Sequence, residues 1–345
     1  VSRGNWVRRG SSRLYLPRGF AEGEAFASRG LWVDRRYFSM LVNPFRFGGG
    51  APPLADTYYL NTDVSAGGDG SIGDPWATLE EARAGIIALI PSFVTSTIAP
   101  TLICTGATDD ATAVTNTWPT SSTTYYLTIT VPTADRVGEW DASHYTYARS
   151  ASGVSAIDIS TNSLRLEGLQ IRNLSNGSAS TGLSIGSSGG DFFMDGVKMW
   201  CNNGSNSVGI RASNVTRRFV FRNVLIVSTV HGILLGNPNA LGSGSEAYIY
   251  NSTIWGSGSG GEACQVLFSA VGSGRVARVK NMMMYAQANG ITVSNADTDD
   301  QATNSKGGVD TSHFVNAGAT DFRLVSGSAN VDAGTDLSAV GAGQF

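Results

Sequence analysis

A short apolar signature returns five times between Ser163 and Val293, and it constrains this chain more than any local motif. The copies are Glu167-Gly168-Leu169-Gln170-Ile171, Asp195-Gly196-Val197-Lys198-Met199, Arg222-Asn223-Val224-Leu225-Ile226, Tyr250-Asn251-Ser252-Thr253-Ile254 and Lys280-Asn281-Met282-Met283-Met284. Their second residues, 168, 196, 223, 251 and 281, are 28, 27, 28 and 30 positions apart. A second signature follows each copy: Gly182-Leu183-Ser184-Ile185, Gly209-Ile210-Arg211-Ala212, Gly232-Ile233-Leu234-Leu235, Gln265-Val266-Leu267-Phe268 and Gly290-Ile291-Thr292-Val293. A fixed period of this length marks a solenoid, in which each repeat buries its apolar face only against its neighbours.

Within each copy the apolar residues alternate, which is the period of a strand. Leu164, Leu166, Leu169 and Ile171 are therefore expected to point inward, and so are Phe219, Phe221, Val224 and Ile226. Gly or Asn stands at the bend, where a positive φ costs Gly least and Asn little. Three short strands per turn, stacked about 4.8 Å apart, make an all-β parallel β-helix.

Two flanking stretches fit the same plan. Tyr58-Tyr59-Leu60-Asn61 reads as an opening strand, and Leu79 to Leu89 as a short amphipathic helix started by Thr78 with Glu81 three residues on, a capping box. That helix would cover the open end of the first turn, where unpaired backbone invites aggregation. Phe314-Val315-Asn316, Asp321-Phe322-Arg323-Leu324 and Val331-Asp332-Ala333-Gly334-Thr335 read as a closing rung, with a polar loop from Asp297 to Lys306 before it. Together these segments resemble the right-handed parallel β-helix proteins of the pectin-lyase-like superfamily, which includes polysaccharide lyases, glycosidases and bacteriophage tailspikes. The resemblance spans residues 57 to 337. It implies a right-handed β-helix, and in the tailspike-like members a homotrimer packed along its long axis. It does not select an activity, because one fold hosts unrelated functions.

Composition divides the chain. Residues 1 to 50 hold nine Arg and no Lys against Glu22, Glu24 and Asp34, a net charge of +6, so with −3 overall the remainder carries −9. Trp6, Tyr15, Phe20, Trp32, Tyr37, Phe38, Phe45 and Phe47 are interleaved with Arg8, Arg9, Arg13, Arg35 and Arg36. Arg and aromatic residues are enriched at interface hot spots, so residues 1–50 are expected to be an extended attachment arm that grips a partner. Residues 51–56 read as a linker and 57–345 as the β-helix domain. Nucleic acid is the rival partner, since Arg and aromatics also hold phosphates and bases, but no recognised motif supports it. The first thirty residues contain no continuous apolar segment and are expected to carry no signal peptide, and no apolar run is long enough for a membrane span. Cys104, Cys201 and Cys264 have neither metal-site spacing nor a paired His, and read as buried thiols in a protein made in a host cytoplasm.

Alternation also sorts the outward side chains into rows. Glu167 and Asp195 would stand on adjacent turns about 5 Å apart, the carboxylate separation of retaining glycosidases. Arg222 continues that row, so an exposed ion pair with Asp195 is the simpler reading. A lyase would draw its base from Lys198 or Arg222. His144, His231 and His313 are scattered, and His231 stands where Val208 and Asn289 stand in other turns. Phe193, Trp200, Val227, Tyr248, Trp255 and Tyr285 form an outward apolar face, of a kind that a lone soluble protein seldom exposes. It is expected to serve homotrimer packing, with glycan binding or cover by the chain's own loops as alternatives. No cofactor or metal is expected. These features together lead to the expectation of a structural phage virion protein, a spike, fibre or capsid decoration fixed to capsid or tail through residues 1–50. The alternatives are a polysaccharide hydrolase or lyase and a non-catalytic module for host surface polysaccharide.

Overall fold

The computed structural model describes residues 56–301, except for 115–116, 137–139, 152–153, 176–179, 187–188, 202–206, 214, 216, 229, 257–260 and 286–288. It also describes the strands Asn5–Arg9, Ser12–Leu16, Phe314–Asn316 and Asp321–Leu324. The chain divides into two compact units, Val1–Pro52 and Pro53–Phe345. In the first, Asn5–Arg9 and Ser12–Leu16 pair antiparallel, with Trp6 opposite Tyr15 and Arg8 opposite Arg13. The remaining residues expected in the attachment arm, from Phe20 to Phe47, lie outside the described residues.

The second unit is a parallel β-solenoid of three sheets. The first sheet stacks Thr57–Asn61, Thr101–Thr105, Leu127–Thr130, Leu164–Glu167, Asp191–Asp195, Arg218–Arg222, Glu246–Tyr250, Val276–Lys280 and Thr298–Gln301. The second stacks Thr146–Arg149, Gln170–Asn173, Lys198–Cys201, Leu225–Ser228, Thr253–Gly256 and Met283–Tyr285. The third stacks Ser155–Ile159, Thr181–Ile185, Val208–Ala212, His231–Leu235, Glu262–Leu267 and Asn289–Ser294. From Leu127 onward each turn visits the sheets in that order, and the residues expected to point inward do so: Leu164, Leu166, Leu169, Ile171, Phe219, Phe221, Val224 and Ile226 are all buried.

The repeat is set by its bends. Gly168, Gly196, Asn223, Asn251 and Asn281 all have positive φ, at 68, 63, 54, 49 and 56°. The first four each donate the backbone N–H to a carbonyl of the next turn, at 2.8 to 3.2 Å. Asparagine adds a side-chain bond between turns: Asn281 Nδ2 donates to Asn251 Oδ1 at 2.9 Å and Asn223 Nδ2 to Asp195 Oδ1 at 2.8 Å. The corner between the second and third sheets needs small residues instead. A Cβ on Gly209 would stand 2.3 Å from Ile226 Cγ2, and one on Gly232 would stand 2.5 Å from Ile254 Cγ2.

The second signature needs one correction. Cys264 pairs with Ile233 and Gln265 with Leu234, so Ala263, not Gln265, continues the Gly182-Gly209-Gly232 column. Cys264 fills the inner position expected of an aliphatic residue, as a small apolar side chain can. Two more corrections concern the C-terminal part. Thr298–Gln301, expected within a polar loop, extends the first sheet in register with Val276–Val279, and Arg275 anchors its approach through Asp297 at 2.6 Å. Phe314–Asn316 and Asp321–Leu324 pair antiparallel with each other, so they are not a parallel rung; Val331–Thr335 lies outside the described residues.

At the other end, the helix Leu79–Leu89 buries Leu79, Ala82 and Ile86. Thr78 accepts from the Glu81 N–H at 3.1 Å, as the capping box requires. Glu81 turns away from the box and accepts from Gly67 and Ala77. A residue distant in sequence completes the cap: buried Asp110 takes the Leu79 N–H at 2.6 Å, and also the Thr112 N–H and the Tyr145 hydroxyl. Burial pushes the Asp110 pKa up against those hydrogen bonds. Among the described residues no helix is long and apolar enough to cross a membrane.

Candidate functional site

The outward residues occupy two neighbouring sheets separated by the Gly/Asn bend. Phe193 and Tyr248 lie on the first sheet with Glu167 and Asp195; Trp200, Val227, Trp255 and Tyr285 lie on the second.

On the first sheet, Glu167 and Asp195 are direct register partners, as the spacing predicts. Each is already engaged by guanidinium groups. Arg136 and Arg165 hold Glu167 at 2.6 and 2.5 Å, and Arg222 holds Asp195 at 2.9 Å. Two carboxylates held in this way are poor candidates for acid and nucleophile, because one must carry a proton and the other must be free to attack. The aromatic residues of this face are covered as well. Arg165 and Arg218 lie over the Phe193 ring, each at 5.8 Å. Arg218 and Arg278 lie over Tyr248 at 5.6 and 5.9 Å. Arginine thus spreads its stem and planar head over apolar surface while its charge stays near water, and Val220 and Tyr248 are buried beneath.

The second sheet carries an apolar strip. Val227 is 3% exposed, wedged between Trp200 and Trp255 and packed on Leu225 and Met283. Trp255 and Tyr285 stack with centroids 3.8 Å apart and planes 10° apart. Rings so close, on strands spaced about 4.8 Å, must lie face to face across the strands and turn their edges outward. The early part of the strip is covered by the connection between residues 131 and 145. Its Trp140 meets Trp200 edge-on at 6.2 Å. Asp141 and Gln170 exchange two hydrogen bonds, of 2.8 and 2.7 Å. Asp109, from another connection, pairs with Arg172. Loop cover, one of the sequence expectations, therefore accounts for this end, whereas from Val227 onward the strip is built from the sheet's own side chains.

The remaining candidates are placed as follows. All three cysteines are buried and free; burial pushes Cys201 and Cys264 up to about 12 and Cys104 well above its usual value, which denies them thiolate character. Lys198 is buried beside Gln170 and Leu225 in the second sheet. His144 lies in the covering connection, 2.9 Å from Asp141 and 3.4 Å from Asp135. His231 lies on the third sheet beside Glu262, and His313 is outside the described residues. Among the described residues, no three His, Cys, Asp or Glu side chains come together to hold a metal ion. Which connection supplies the cover, and the arginine lattice, are not legible in the sequence, because both depend on which strands become neighbours. No family model, curated protein or solved structure matches this chain.

Proposed function

We propose that this chain is a structural virion protein: a β-solenoid spike, fibre or capsid decoration, fixed to a phage particle by residues 1–50 and associating with further copies along the second sheet. The observation that carries this reading is the apolar strip of Val227, Leu225, Trp255, Met283 and Tyr285, which continues where the chain's own covering connection ends. Edge-on stacked rings suit a protein contact better than a sugar, which prefers a free ring face. The +6 charge and interleaved aromatics of residues 1–50 support a separate attachment role. The test is deletion of residues 1–50. The truncated solenoid is expected to fold and to be absent from purified particles; retained incorporation would overturn the reading.

Cleavage of polysaccharide is the second reading, favoured by the direct register of Glu167 and Asp195. It requires Glu167→Gln or Asp195→Asn to abolish a measurable cleavage while the fold is kept.

A further inference from the structure

The first unit contains a two-stranded ribbon whose register sorts part of the arginine-rich segment into two faces. Asn5–Arg9 and Ser12–Leu16 pair antiparallel, Asn5 with Leu16, Trp6 with Tyr15, Val7 with Leu14, Arg8 with Arg13 and Arg9 with Ser12. Only Gly10-Ser11 separates the two strands in sequence, a pair that favours a two-residue hairpin.

Directly opposed residues of a ribbon share a face, and so do residues two apart along one strand. Positions 6, 8, 13 and 15 therefore form one face, and positions 5, 7, 9, 12, 14 and 16 the other. The second face carries the aliphatic residues Val7, Leu14 and Leu16. The first carries an opposed aromatic pair, Trp6 and Tyr15, and an opposed arginine pair, Arg8 and Arg13, about 7 Å further along the strands.

The two pairs act on the ribbon in opposite senses. A cross-strand aromatic pair stabilises it, whereas like charges directly opposite each other destabilise it. Two strands alone are at best marginally stable, so Arg8 opposite Arg13 is a poor choice for stability. It is a good choice for an anion, because adjacent guanidinium forks match the oxygens of phosphate. Residues 1–16 hold four Arg and no acidic residue, so the local field also favours a polyanion.

The aromatic pair selects among polyanions. Carboxylates of an acidic protein answer the arginines alone, and a duplex keeps its base faces stacked inside. A single strand offers phosphates for the forks and open base faces for the rings.

We propose that the ribbon Asn5–Leu16 binds single-stranded nucleic acid on the face of Trp6, Arg8, Arg13 and Tyr15, the arginines taking phosphates and the rings stacking on bases. The site does not rest on the virion reading.

The test is fluorescence anisotropy on the full-length protein with a labelled oligothymidylate of about 20 nucleotides, a duplex of the same length and a Glu-rich peptide, from about 50 to 200 mM salt. The oligothymidylate is expected to bind saturably and most tightly of the three, and to weaken as salt is added. Trp6→Ala or Tyr15→Ala should weaken it about tenfold. Arg8→Gln combined with Arg13→Gln should lower the salt slope by about 1.4, the value for two phosphate contacts on a single strand. Arg9→Gln removes the same charge from the other face and should change binding least. Equal losses from Arg8→Gln and Arg9→Gln overturn the proposal, because they mean attraction by net charge alone. It is also overturned by a preference for the duplex or the peptide, by binding that Trp6→Ala and Tyr15→Ala leave unchanged, and by the lack of saturable binding to the oligothymidylate.

Discussion

The first and second sheets share one inner wall and one kind of bend, yet their outer faces meet water differently. Both place an aliphatic residue among outward aromatics: Val220 beside Phe193 and Tyr248, and Val227 beside Trp200 and Trp255. On the first sheet Arg165, Arg218 and Arg278 supply the cover. On the second, cover comes from Trp140 and Asp141 at one end, and the row that continues from there is apolar. Outward alternation is thus not equivalent to an available surface. What decides is whether a neighbouring row contains side chains long enough to lie across the apolar one.

The sharpest way to break this comparison is to place the same charge on both faces. Val227→Asp buries a carboxylate among Trp200, Trp255, Leu225 and Met283 and should cost about 3–5 kcal/mol. Val220→Asp is as buried but lies beneath arginines, and should cost less, about 1–3 kcal/mol. Urea unfolding of the two variants reads the difference, and equal losses would dissolve the distinction.

Aromatic truncation comes next. Trp255→Ala removes the stack on Tyr285 and should cost about 1–2 kcal/mol. On the proposed function it should also lower the mass seen by sedimentation. Tyr248→Ala should cost a similar amount, since it loses the contacts to Arg218 and Arg278, and leave the mass unchanged. A smaller effect is expected from Arg218→Gln, about 0.5–1 kcal/mol. Its loss should shrink as salt is added, because the ion pairs of Arg218 with Asp191 and Glu246 are exposed enough to be screened.

The least effect concerns the two ends of the solenoid, which should respond to acid in opposite directions. Arg275 holds the Asp297 pKa down to about 2, so its stabilising contribution is complete above the ordinary carboxylate value and is lost as pH falls from about 4 towards 2. The Asp110 pKa is raised by burial; its folded form binds the proton more tightly, so stability there falls as pH rises through the raised value. Amide exchange should therefore quicken in Thr298–Gln301 on acidification and not in Leu79–Leu89. Parallel behaviour at both ends would rule out these two carboxylates as the cause.

Much of the solenoid could be read from the chain because its determinants are local. Gly168, Gly196, Asn223, Asn251 and Asn281 announce the left-handed bends, and alternation around them assigns the inner wall. The third-sheet register slipped at Gln265 because Ala263 meets the same need for a small residue that Gly meets elsewhere in the column. The candidate site was less legible. Alternation sorts side chains into inward and outward rows, but the division of the outward rows between two sheets follows from the bend angle, and the burial of Val227 and Tyr248 follows from neighbours and cover supplied by other strands. Arg136 reaches Glu167, Asp109 reaches Arg172, and Asp110 reaches the helix at Leu79. No local pattern signals such pairings.

The bends also have an evolutionary consequence. From Leu164 onward, each repeat spends the same two residues between the first and second sheets, Gly168-Leu169, Gly196-Val197, Asn223-Val224, Asn251-Ser252 and Asn281-Met282, whereas the turn before them places the covering connection there. In these five repeats the drift in length is therefore confined to the other two corners, as in the long connection from Leu235 to Glu246. Such a stretch can gain or lose sequence at two corners of each turn while the third keeps time. Foreign peptides grafted at those two corners should leave the stacking intact, whereas a single residue inserted after Asn223 should throw every later strand out of phase.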